Sequence, residues 1–217
     1  MDKHEIVRRI VSSGVIAVVR LSEASQLAKV ADAIRAGGVD IIEFTMTTPG
    51  ALHIIEESAA CFGEDVVLGA GTVLDAETAR AAILAGAQFV VSPITDFPSI
   101  ELCLRYGKVV IPGTLTPTEI LRAWQAGADF VKVFPASALG PGYLKDVLAP
   151  LPQVKLVPTG GVGVANAAEY IRNGAAAIAV GGELVNNKLV AAGKFDTLTE
   201  TARALTEAVH AARARAL

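Results

Sequence analysis

Eight short runs of aliphatic residues recur along this chain, and they constrain its fold more than any other feature. The runs do not alternate with polar residues, which is typical of strands that are buried on both faces of a parallel sheet. Amphipathic patterns separate them, with predicted helix caps at Asp75 and at the Thr116–Glu119 pair. The eight predicted strands cover residues 15–19, 39–43, 66–69, 88–91, 109–111, 129–134, 154–157 and 175–180.

A glycine motif recurs before the second, fourth, sixth and eighth runs, where a helix must turn into the sheet. It occupies residues 36–40, 85–89, 126–130 and 173–176, at spacings of 49, 41 and 47 residues. Glycine at such a turn is predicted to take the left-handed conformation that ends a helix. Regular βα units without a break predict an α/β fold: one (βα)8 TIM barrel domain over residues 1–217, with a short N-terminal helix. A doubly wound sheet is the structural alternative, although Arg20 and Leu21 stand where its glycine-rich turn is expected.

Composition excludes several classes of function. The net charge is −3 and no basic run occurs, so no nucleic-acid partner is expected. No apolar run reaches the roughly 18 residues of a membrane span. The two cysteines, Cys61 and Cys103, lie far apart in predicted helices, which favours reduced thiols in a cytoplasmic protein. The three histidines are scattered (His4, His53 and His210), so neither a metal site nor a cofactor is predicted.

Lys132 interrupts the most apolar of the runs, between Phe130 and Pro135. Burial disfavours an ammonium group and lowers its pKa, so the neutral amine becomes accessible. A neutral amine can form a Schiff base with a ketone. The alternative is a lysine that reaches past the strand end to water. Lys155 also interrupts a run, but near its start, and is predicted to be solvated at the opposite end of the barrel.

Charged residues follow other apolar runs at the strand ends, where barrel enzymes carry their active groups. Arg20, Glu43 and Lys132 together have the composition of a reacting site. Alternatively, Glu43 forms a structural salt bridge and Arg20 is a solvated strand-end charge. Two diglycine turns, Gly160-Gly161 and Gly181-Gly182, are predicted to direct their backbone N–H groups at an anion. Further candidate substrate-binding residues at the strand ends are Thr72, Pro93, Phe134, Thr159, Gly160, Gly161, Gly181 and Gly182.

Six motifs taken together resemble the class I 2-keto-3-deoxy-6-phosphogluconate (KDPG) aldolases and the related 4-hydroxy-2-oxoglutarate (KHG) aldolases. The resemblance covers roughly residues 6–190 and rests on motifs at residues 43–45, 69–73, 92–93, 111–113, 132–136 and 158–161. It implies that Lys132 forms the Schiff base, that Glu43 shuttles protons and that Thr72 holds the pyruvate-derived carboxylate. It further implies that residues 159–161 line the substrate tail and that the protein is a homotrimer.

Two positions depart from the pattern of the family. Thr47 stands where many members carry an arginine, and Arg20 is expected to supply the missing cation at the same mouth; both are candidate substrate-binding residues. Glu183 follows the last diglycine, where many members carry a phosphate-binding serine. Because a carboxylate repels phosphate, the sequence leaves open whether the far end of the substrate is phosphorylated.

The expected activity is cleavage of a 2-keto acid, most simply phosphorylated KDPG, to pyruvate and glyceraldehyde 3-phosphate. KHG would give pyruvate and glyoxylate. Two alternatives from other classes remain open at this point. A sugar-phosphate isomerase or epimerase would use Glu43 as base and Lys132 only as a cation. A non-catalytic barrel would bind an anion at the diglycine turns.

Overall fold

The computed structural model describes residues 1–21 and 26–214, which form parallel strands alternating with helices. The strands are β1 (Val15–Val19), β2 (Ile41–Thr45), β3 (Val67–Gly71), β4 (Phe89–Val91), β5 (Val109–Ile111), β6 (Gly113–Thr114), β7 (Val131–Val133), β8 (Leu156–Pro158) and β9 (Ile178–Val180). The helices are α1 (Lys3–Ser13), α2 (Leu27–Ala36), α3 (Ala51–Phe62), α4 (Ala76–Leu84), α5 (Phe97–Arg105), α6 (Pro117–Gln125), α7 (Gly142–Leu148), α8 (Val164–Arg172), α9 (Asn187–Ala191) and α10 (Phe195–Ala214).

The strands form two parallel sheets, in the orders β5-β4-β3-β2-β1-β9 and β6-β7-β8. The parallel α/β architecture is therefore confirmed, and the order shows no reversal of the kind found in a doubly wound sheet. The sheets also contact each other at both edges. Lys132 donates its N–H to the Pro112 carbonyl at 2.9 Å, and Thr159 forms a parallel bridge with Ala179.

Several element boundaries differ from the sequence prediction, and those around β2, β3 and β6 bear on the site. The fifth strand occupies residues 109–111 as predicted, but beyond Pro112 the chain pairs again as β6, now with β7. The strands β2 and β3 each run two residues further than predicted, so Glu43 lies inside β2 rather than at its end. Besides β6, two short elements were not predicted at all: α9 and the 3-10 turn Ala136–Ala138.

The recurring glycine turns are confirmed by their backbone angles. The φ angles of Gly38, Gly86, Gly127 and Gly174 are 93°, 113°, 95° and 97°, a region of backbone conformation that residues other than glycine rarely adopt. Each one redirects the chain from the end of a helix into the following strand.

Two hydrophobic clusters use opposite faces of the same strands. Alternate strand residues such as Ile41, Phe130 and Val157 form an inner cluster, and their neighbours pack outward against the helices. Ile6 and Ile10 of α1 join the inner cluster near the strand starts. Further contacts hold α1 there: Lys3 pairs with Asp129 at 3.0 Å, and Arg9 pairs with Asp40 and donates to the Glu64 carbonyl. The helix α1 therefore covers the end of the sheets at which the strands begin.

Three further observations concern the cysteines, the helices and the side chains that could bind a metal ion. Cys61 is an exposed free thiol and Cys103 a buried one, so no disulfide joins them. None of the helices within residues 1–21 and 26–214 combines the length and the apolar character needed to cross a membrane. The same residues hold no group of three or more His, Cys, Asp or Glu side chains that could bind a metal ion.

Candidate active site

Glu43 and Lys132 lie on the inner face, one step beyond the apolar inner cluster. Each follows a cluster member by two residues, Ile41 in β2 and Phe130 before β7, and a period of two keeps both on that face. Only 1% of Glu43 and 6% of Lys132 is exposed. Lys132 is therefore buried as predicted, whereas Lys155 is exposed.

Burial shifts the pKa values of both groups towards their neutral forms. Desolvation raises the pKa of Glu43, while the positive charges of Lys132 and Arg20 oppose that rise. Desolvation likewise lowers the pKa of Lys132; Glu43 opposes this shift and Arg20 adds to it. A buried amine that can be neutral is a nucleophile, and a carboxyl with a raised pKa can act as both acid and base.

One oxygen of the buried Glu43 carboxylate lacks a hydrogen bond from the part of the chain that the structure describes. Its Oε2 atom is buried without a hydrogen-bond partner among the described residues, and the ion pairs they form do not include Glu43. The alternative of a structural salt bridge at Glu43 is therefore wrong. Gly71 of β3 provides the room, since a Cβ there would lie 2.6 Å from Glu43 Cγ and closer still to the carboxylate. A buried carboxylate with an unpartnered oxygen suits a polar ligand that completes its hydrogen bonds.

A cleft of about 500 Å3 opens beside Lys132. The Lys132 ammonium lies 4.9 Å from the ring centroid of Phe134, and that ring is 39% exposed and lines the cleft. The cleft brings together candidates that are far apart in sequence: Arg20, Phe134, Thr159, Gly160, Gly161, Gly181 and Gly182. Its far wall adds Glu183, Asn186, Asn187 and Lys188, of which sequence reasoning had singled out only Glu183.

The two diglycine turns use their carbonyls internally. The Gly160 carbonyl accepts the Ser137 N–H at 3.0 Å, and the Gly161 carbonyl accepts Asn166 Nδ2 at 2.8 Å. The Gly181 carbonyl accepts two N–H groups from the turn that follows it. With three of the four carbonyls occupied, the backbone groups left to meet a ligand are mostly N–H groups, and N–H groups favour an anion.

Thr72 and Thr47 line a second pocket of about 770 Å3, rather than the cleft. Thr72 directly follows Gly71, which touches Glu43, so this pocket lies next to Glu43. Thr72 has φ of 58°, a conformation costly for a β-branched residue and often found at functional sites. Thr47 is exposed, and its hydroxyl lies 3.1 Å from that of Thr45.

Pro93 lines neither of these two pockets. It is half-buried after β4, and its carbonyl packs against Gly113 so closely that a Cβ there would collide with it. The position of Pro93 gives it a packing role between the loops after β4 and β5, and its role in substrate binding stays a prediction.

Comparison with known proteins places this geometry among aldolases. The model of the KDPG and KHG aldolase family matches residues 6–201. The chain is 40% identical over 189 residues to a 2-dehydro-3-deoxy-phosphogluconate aldolase of Treponema pallidum, covering 85% of this chain and 88% of the relative. It is 36% identical over 171 residues to a 2-dehydro-3-deoxy-6-phosphogalactonate aldolase of Escherichia coli, covering 78% and 83%. Among solved structures, a KDPG aldolase from Legionella pneumophila superposes with a TM-score of 0.86 at 29% identity, covering 92% of this chain and 97% of its own. In that structure, pyruvate was captured at low pH as a covalent carbinolamine.

Proposed function

The chain belongs to the KDPG and KHG aldolase family, and from that membership we propose that it is a class I aldolase acting on KDPG. It is a lyase that cleaves this substrate to pyruvate and glyceraldehyde 3-phosphate. The observation that carries the proposal is the buried Lys132 amine on the same inner face as the unpartnered Glu43 carboxylate, between two pockets. An isomerase that used Lys132 only as a cation would gain nothing from burial that disfavours the charged form.

The reaction uses these two groups in sequence. The neutral amine of Lys132 adds to the C2 ketone, and the carbinolamine loses water to give an iminium ion. Glu43, directly or through water, removes the proton of the C4 hydroxyl, and the C3–C4 bonding electrons move into the iminium to form an enamine. The aldehyde leaves, the enamine is protonated at C3, and hydrolysis returns pyruvate and the free amine. Glu43 therefore acts as base and then as acid, which a raised pKa favours.

The two pockets divide the substrate between them. The carboxylate of the 2-keto acid meets the Thr72 hydroxyl and the neighbouring backbone in the pocket on the Glu43 side. The tail extends into the cleft that Thr159 and both diglycine turns line. Arg20 lines this cleft and is close enough to lower the pKa of both reacting groups, so it supplies positive charge to either part of an anionic substrate.

KHG is a second candidate substrate, because the family is named for both activities. It shares the reacting end of KDPG, C1 to C4, and would release pyruvate and glyoxylate. It is shorter and would not reach the far wall of the cleft. Lys132, Glu43 and Thr72 would then perform the same steps.

We also infer the setting in which the reaction occurs. The contacts at both edges of the two sheets support a closed eight-strand barrel, in which β5 and β6 act as one strand, and a single domain over residues 1–217. Exposed apolar side chains after β3, β4 and β6 and at the start of α5 (Leu74, Ile94, Leu115 and Phe97) support an interface between copies of the chain, for which we propose the homotrimer implied by the family resemblance. Free cysteines and a phosphorylated metabolite as substrate favour the cytoplasm.

Borohydride reduction in the presence of pyruvate tests the proposal directly. A Schiff base at Lys132 is expected to be reduced to a stable adduct, which peptide mass spectrometry locates. Lys132→Met should abolish both the adduct and the cleavage of KDPG, whereas Lys155→Met, at the exposed lysine of the neighbouring run, should retain both. An unmodified Lys132 with cleavage intact would refute the Schiff-base mechanism and would favour the isomerase or the anion-binding alternative.

A further inference from the structure

Glu183 lies in the part of the cleft that backbone geometry prepares for an anion. It directly follows the Gly181-Gly182 turn and lines the cleft together with the other diglycine turn. Its side chain packs on Gly163, the residue that precedes α8: a Cβ at Gly163 would lie 3.2 Å from Glu183 Cγ and 3.4 Å from its Oε2. The carboxylate therefore extends from one turn towards the start of the helix that follows the other.

The charges around the cleft do not neutralise Glu183 by direct pairing. Arg20 and Lys188 also line the cleft, but the salt bridges of the described residues include no partner for Glu183. Asn186 and Asn187 complete this wall. The wall thus offers one carboxylate, two amides and one ammonium, a set that can accept and donate hydrogen bonds to hydroxyl groups and is close to neutral overall.

We propose that Glu183 broadens the substrate class at the far end of this cleft. It weakens the preference for a phosphate group there, so that 2-keto-3-deoxy acids whose far end is a hydroxyl are accepted alongside KDPG. The inference rests on the proposed aldolase function, which it deepens by naming the tail that the site accepts. The backbone N–H groups of the turns attract an anion and the Glu183 carboxylate repels it, while Lys188 and Arg20, which line the same cleft, offset part of that repulsion.

The size of the effect follows from charge and distance. A carboxylate and a phosphate dianion separated by about 6 Å, at an effective dielectric between that of a protein surface and that of water, weaken binding by about tenfold or more. A hydroxyl tail meets no such repulsion and can donate to the carboxylate. Discrimination between the two tails should therefore depend on the charge of Glu183 more than on its size.

The first test measures kcat/KM for KDPG and for unphosphorylated 2-keto-3-deoxygluconate, and takes the ratio of the first value to the second. Glu183→Gln keeps the shape and removes the charge, so the ratio of the two values should rise about tenfold. Lys188→Gln removes the opposing charge, so the same ratio should fall. Glu169→Gln, an exposed carboxylate on α8 outside the cleft, is the matched control and should leave the ratio at its wild-type value. An unchanged or lower ratio in Glu183→Gln would overturn the proposal.

The second test does not require catalysis. Inorganic phosphate binding, followed by titration calorimetry, should be about tenfold tighter in Glu183→Gln than in the wild type. Equal affinities would also overturn the proposal. Borohydride trapping of pyruvate on Lys132 in the same samples separates the two ideas: loss of the adduct counts against the aldolase mechanism, whereas phosphate affinity reports on Glu183 alone.

Discussion

Replacing Gly71 with alanine should disable the acid–base group without touching the nucleophile. The new Cβ would lie 2.6 Å from Glu43 Cγ and closer still to the carboxylate. Both distances are shorter than Cβ atoms allow in ordinary contacts. Glu43 is almost fully buried and the strand β3 is fixed by its neighbours, so the carboxylate has to move by about 1 Å or more. Misplacing a catalytic group by that distance costs about 100-fold in rate.

The consequence for stability should be smaller. Overpacking a buried site costs about 1–3 kcal/mol in the free energy of unfolding. For a domain of this size, each kcal/mol lowers the Tm by about 2–4 °C. The protein should therefore remain folded at 25 °C, and the loss of kcat can be assigned to the site.

The assay follows pyruvate release from KDPG, together with the Tm and with borohydride trapping on Lys132. Gly71→Ala should lower kcat about 100-fold while a pyruvate adduct on Lys132 still forms. Gly142→Ala, at the first residue of α7, is the matched control: no atom lies within 4 Å of its new Cβ, so kcat and Tm should hold. In a Glu43→Gln background, the further loss caused by Gly71→Ala should be slight, since both changes act on one group. A folded Gly71→Ala enzyme with wild-type kcat would refute the reasoning.

Three further outcomes follow from pKa shifts and backbone strain. Because burial lowers the pKa of Lys132, the rate of adduct formation on it should rise with pH with a midpoint below 10.5, the ordinary lysine value. The charge of Glu43 raises that pKa, so Glu43→Gln should move the midpoint of the pH profile still lower. An upward move would contradict this electrostatic coupling. Burial raises the pKa of the Cys103 thiol to about 12, so at about pH 8 iodoacetamide should label Cys61 in the native protein and Cys103 only after unfolding, as peptide mapping would reveal. Thr72→Gly should raise the free energy of unfolding by about 1 kcal/mol in urea titrations, by relieving the positive φ, while weakening the apparent affinity for pyruvate; a stability loss there would count against the strain.

Local chemistry made most of the fold predictable. A helix has to end and turn into a strand, so the glycines of the recurring motif could be assigned a positive φ before any coordinates. Asp75 and the Thr116–Glu119 capping box likewise mark the starts of their helices in the sequence, and the structure contains both caps. A lysine among Val and Phe signals burial because the apolar neighbours on both sides leave it no obvious path to water.

What the sequence concealed lies beyond the range of local patterns. The helix α9 has five residues, too few for a hydrophobic period to appear, so Lys188 was not recognised as a cleft residue. The strand β6 directly follows Pro112, and in a sequence a proline at that point indicates the end of a strand. Thr72 is separated from the cleft by the arrangement of the two sheets, with β2 and β3 in one and β7 in the other. No single segment of the sequence specifies that arrangement.

The two ends of the strands serve opposite purposes, and the buried charges explain why. Glu43 and Lys132 are the charged side chains that the described residues bury, and burying either one alone would be strongly unfavourable. Each lowers the cost of the other, yet the pKa shifts show that desolvation still dominates both. The strand starts carry no such cost: α1 inserts Ile6 and Ile10 into the inner cluster, and its ion pairs with Asp40 and Asp129 hold the segments that lead into β2 and β7. Because apolar burial is favourable, we infer that packing at this end offsets part of the cost of the buried amine and carboxyl at the other.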